Sequence, residues 1–107
     1  MSNNMDGKIG KISELIVQDF NFEPDRSLAD SKHLGDLKEK LEKIVAYLLD
    51  NDFERLLNAM YRLDIDEEKF KKAVSGAYGK NISQEIVELI ISREIQKLKT
   101  RIKYSRQ

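Results

Sequence analysis

The chain has no cysteine and no tryptophan, and among its 107 residues it has one proline, one histidine and five glycines. Without thiols there is no disulfide framework, thiolate zinc site, iron–sulfur cluster or cysteine nucleophile. No apolar run approaches the roughly 18–20 residues that a membrane span needs, so a membrane is not expected among its partners. The opening MSNNMDGKIGKI has no long apolar core behind a basic start. No secretory signal is therefore expected, and the cytoplasm is the expected location.

The scarcity of histidine narrows the chemistry further. His33 stands in SKHLG beside Lys32 and Ser31, and neighbours in sequence do not make a nucleophile–base–orienter triad. An exposed or helix-capping role is the expectation for it. A di-metal carboxylate bundle needs Glu-x-x-His pairs on facing helices, which one histidine cannot supply. Asp64, Asp66, Glu67 and Glu68 resemble part of a calcium loop, but the loop glycine and the spaced terminal glutamate are missing. The glycines of SGAYGKN are too few and wrongly ordered for a phosphate-binding loop or a dinucleotide fingerprint. The expectations are no enzyme activity, no cofactor, no metal and no evident small-molecule substrate.

What the chain does have is charge, at 36% of its residues, in balance overall and uneven along its length. Residues 1–35 carry 4 basic and 6 acidic groups, residues 36–68 carry 5 and 10, and residues 69–107 carry 10 and 3. The segment nets are −2, −5 and +7. Such a chain can hold its own helices in register, pair with a copy of itself, or offer its basic end to an acidic partner.

Pro24, in FEPDRS, marks a loop that separates an N-terminal arm from a helical body. The domain reading is residues 1–30 as arm and loop and residues 31–107 as one helical domain. In the arm, Ile9, Ile12, Ile16 and Phe20 lie on one helical face, while Leu15-Ile16-Val17 would also suit a strand; helix is favoured. Leu34, Leu37, Leu41, Ile44 and Leu48 then advance by three and four, a seam widened by Val45 and Leu49. A core-facing helix is the plainer reading, pairing with another chain the sharper one. Asp52 is placed to cap a second helix with Phe53, Leu56, Leu57, Met60 and Leu63 on its apolar face, across a break or only a kink.

Asp66, with Glu67 and Glu68 in the following turn, begins a third helix, continued by Phe70, Ala73, Val74 and Ala77 and closed by Gly76 and Gly79. Asn81 or Ser83 caps the last helix. Ile86, Val87, Leu89, Ile90 and Ile91 occupy most of its sides, after which Ile95, Leu98 and Ile102 form a narrow stripe within a basic tail. The predicted fold is all-α: a compact bundle of four or five helices with short loops and a long basic C-terminal helix.

AYLLDNDFERLLNAMYRLDIDEEKFKKAV and EIVELIISREIQKLKTR, with Asp52-Phe53-Glu54, Leu56-Leu57, Tyr61-Arg62 and Asp64-Ile65 as features, resemble small uncharacterised bacterial helical proteins over about residues 41–102. The resemblance implies a helical bacterial domain and carries no activity, cofactor or catalytic residue.

The expected function is a noncatalytic protein-interaction or regulatory module, self-associating (as a dimer) or binding another protein. Its candidate partner surface is Tyr61, Arg62, Ile95, Leu98 and Ile102, tyrosine and arginine being favoured interface anchors. A local ion pair of Arg62 with Asp64, Asp66 or a helix-end carboxylate is the plainer reading of that residue. The alternative is a nonspecific nucleic-acid-binding protein whose Lys97, Lys99, Arg101, Lys103 and Arg106 contact phosphates. Base reading is not expected, because Glu85 and Glu88 occupy the half of the last helix that would enter a groove.

Overall fold

The computed structural model describes residues 9–20, 33–76, 79 and 81–105 of the chain, with side chains for residues 9–18, 33–76, 79 and 81–100. The predicted loop around Pro24, together with Gly7, Ala77 and Arg106, lies outside the described residues. Among the described residues there are five helices: α1 (Ile9–Phe20), α2 (Leu34–Asn51), α3 (Phe53–Leu63), α4 (Glu67–Ser75) and α5 (Ile82–Ser105). No strand occurs among them, and no helix is long and apolar enough to cross a membrane.

In α1 the period is helical. Ile9, Ile12 and Ile16 are all buried in the same core as the other helices. Ser13 is buried with them, and its hydroxyl donates to the Ile9 carbonyl at 2.9 Å. That bond removes the cost of an unsatisfied buried hydroxyl.

The predicted seam of α2 turns inward. Leu37, Leu41, Val45 and Leu48 are buried, while Leu34, Ile44 and Leu49 are half-buried against the core. His33 is exposed at the N-cap, where its Nδ1 accepts the Asp36 backbone N–H at 3.2 Å. At the far end the chain breaks for one residue. The Asp52 N–H donates to the Leu48 carbonyl at 2.9 Å, ending α2, and the Asp52 carboxylate accepts from the Arg55 N–H at 3.3 Å, starting α3. One aspartate therefore makes a true break where neither glycine nor proline is present.

The turn after α3 has Schellman geometry: the Ile65 N–H donates to the Met60 carbonyl and the Asp64 N–H to the Tyr61 carbonyl, both at 3.1 Å. Asp64 takes the left-handed position, φ 59°, that glycine usually fills. Asp66 then caps α4, its Oδ1 accepting from the Glu68 and Lys69 N–H groups at 2.9 and 3.1 Å. Gly76, at φ 77°, closes α4. At the start of α5 it is Asn81 that caps, accepting from the Gln84 N–H at 3.2 Å.

α5 packs against all four other helices. This matches its apolar coverage, since Ile86, Val87, Ile90 and Ile91 are buried and Leu89 half-buried. Its 24 residues span about 36 Å at 1.5 Å each, close to the 39 Å long axis of the molecule. α1 also packs on α2 and α3, whereas α4 leans on α5 without comparable packing against α3. That asymmetry leaves a wedge between α3 and α4.

Candidate interaction surface

The wedge is an apolar groove of about 320 Å³. Phe53, Leu57, Met60 and Tyr61 line it from α3, Phe70, Val74 and Ser75 from α4, and Ile65 from the turn between the two helices. The floor follows from the Schellman turn, which brings its flanking apolar pair, Met60 and Ile65, together. Phe53 and Phe70 stack across the wedge with ring centroids 6.3 Å apart and planes 25° apart, within the range of favourable aromatic pairs. Phe70 is buried in the common core, whereas Phe53 stays 41% exposed and Tyr61 64% exposed. These are two of the three large apolar side chains exposed among the described residues, the third being Tyr47 on α2. The charged groups of the lining, Glu67 and Lys71, lie one turn apart on α4 and 4.0 Å from each other.

The residues proposed from the sequence fall in different surroundings. Tyr61 rims the groove. Arg62 is exposed in the last turn of α3. Asp64 lies 3.8 Å from the Arg93 guanidinium, and the carboxylate of Asp66 caps α4. Ile95 and Leu98 are half-buried and pack on the core. Ile102 lies within α5, its side chain outside the described residues. Lys97 sits 3.6 Å from Glu94 and Lys99 is exposed. Arg101 and Lys103 continue α5, but their side chains, like all of Arg106, lie outside the described residues.

Two polar features were missed at the sequence level. Glu94 is fully buried on α5 and faces Lys97. Its spacing of four and three from Ile90 and Ile91 was the available signal, since it continues the buried stripe. Arg93 donates from Nε to the Leu63 carbonyl at 2.7 Å and from Nη1 to Gln96 Oε1 at 3.1 Å. It thus holds an orphan carbonyl at the end of α3 from a position 30 residues away. A polar cleft of about 270 Å³ surrounds it, with Asp64, Asp66, Lys69 and Ser92. The wider cleft between α2 and α5 is crossed by Lys38 and Glu88, 2.9 Å apart, and lined by Glu39, Glu42 and Glu85. Among the described residues, no three histidine, aspartate or glutamate side chains gather closely enough to hold a metal ion.

No family model matches the chain, and neither does any curated protein or solved structure. The likeness to small helical proteins rests on sequence pattern alone.

Proposed function

We propose that the chain is a noncatalytic interaction module whose α3–α4 groove receives an apolar segment of a protein. The observation that carries this reading is an open, aromatic-rimmed groove on a face left uncovered among the described residues. Its volume lies at the lower end of functional clefts, about 300–1,000 Å³, and its apolar walls with a few polar groups at the rim suit an apolar anchor. Exposed tyrosine and phenylalanine are efficient anchors because they bury a large area for little lost side-chain freedom.

A photo-crosslinking residue placed at Leu57 or Tyr61 in cells that make the protein tests this directly. The expected result is one discrete adduct from either groove position and none from Glu39, on the α2 face. Equal labelling from all three positions, or no adduct from the groove, overturns the reading.

A further inference from the structure

We infer that the occupant of the groove is a second copy of this chain, docked across a two-fold axis beside α4. The inference rests on the interaction-module reading and adds the partner. Two-fold interfaces need a surface that is complementary to itself. This face carries both halves of such a match. The knob is Tyr61, 64% exposed, and the hole is the 320 Å³ groove beside it. A cavity of about 150 Å³ already accommodates benzene, so the groove has room for a partner's phenol ring.

Charge gives the same answer. The groove lining carries one acid and one base, Glu67 and Lys71, one turn apart along α4. When two α4 helices run antiparallel across the axis, each Glu67 meets the partner's Lys71, and the pair occurs twice. A partner of single-sign charge would leave one of the two groups opposed by its like. The chain as a whole has a formal net charge of zero, so two copies approach without long-range repulsion.

The test uses sedimentation equilibrium of the purified full chain, from about 10 µM to about 1 mM, where interfaces of modest area associate. The native chain is expected to pass from monomer to dimer in this range. Tyr61→Asp, Glu67→Lys and Lys71→Glu, all at exposed positions, are each expected to weaken the dimer about tenfold or more while circular dichroism and thermal melting stay native-like. Equal parts of the Glu67→Lys and Lys71→Glu chains are then expected to recover the dimer, because each altered site faces its opposite across the axis. A native chain that stays monomeric throughout overturns the second-copy proposal, as does a dimer indifferent to Tyr61→Asp or a mixture that fails to recover. A monomer in solution together with a groove-specific adduct of another mass in cells would remove the second copy and keep the module.

Discussion

Asp64 shows how one side chain can sit against its backbone preference and still serve the fold. Its φ of 59° lies in the left-handed region, where an L residue is penalised by its Cβ and aspartate is among the better tolerated. The geometry lets two N–H groups turn back onto α3 and places Ile65 against Met60 at the groove floor. The Arg93 contact adds little, because the Asp64 side chain is 89% exposed and screened by solvent. Substituting valine, whose branched Cβ crowds this region, is expected to cost about 1–2 kcal/mol in urea denaturation. Asp64→Gly is expected to leave stability unchanged or higher, which would assign the loss to backbone geometry and not to the ion pair.

At the level of elements, α4 is the exposed weak point. It has nine residues, fewer than an isolated helix needs for stability in water, and its support comes mainly from α5 on one side, with the Phe53–Phe70 stack on the other and its caps at the ends. Asp66 satisfies two of the four orphan N–H groups at its start. Asp66→Ala is expected to cost about 1 kcal/mol. Amide hydrogen exchange should show the loss first in α4, with the buried seam of α2 protected as before. An equal rise in exchange across both helices would mean that α4 does not open separately. The same local economy bears on the groove, since a wall held on one side can adjust to a docked side chain.

For the whole molecule, burial outweighs charge. Lys38 and Glu88 join α2 to α5 at 2.9 Å, but their side chains are 34% and 55% exposed, so the pair is worth at most about 1 kcal/mol. Leu41, fully buried on α2, is one of the side chains that form the common core. Leu41→Ala is expected to lower unfolding free energy by about 2–5 kcal/mol, and Lys38→Met by less than about 1 kcal/mol. Reversal of that order in chemical denaturation would place the stability of the bundle in its ion pairs. The uneven charge along the chain, from −5 in its middle to +7 at its end, bears on association more than on folding.

Helix identity and most helix ends were legible in the sequence because their causes are local. A cap joins groups two to four residues apart, as at His33, Asp52, Asp66 and Asn81, and an apolar stripe is a periodicity of neighbours, as from Leu37 to Leu48. The seam's orientation, inward against the bundle, was already the plainer reading. The groove was not legible, because it exists only where α4 settles on α5 and leaves the facing side of α3 open among the described residues. For the same reason Phe53, which read as part of a buried apolar helix face, became an exposed rim beside Tyr61, already a candidate for a partner surface. Ile95 and Leu98, which read as a stripe leaving the core, still pack on it. Distance along the chain also hid the bond from Arg93 to Leu63, and tertiary burial alone made Glu94 an interior acid. Periodicity decides which side of a helix is apolar; only the packing of one helix on another decides how much of that side remains open.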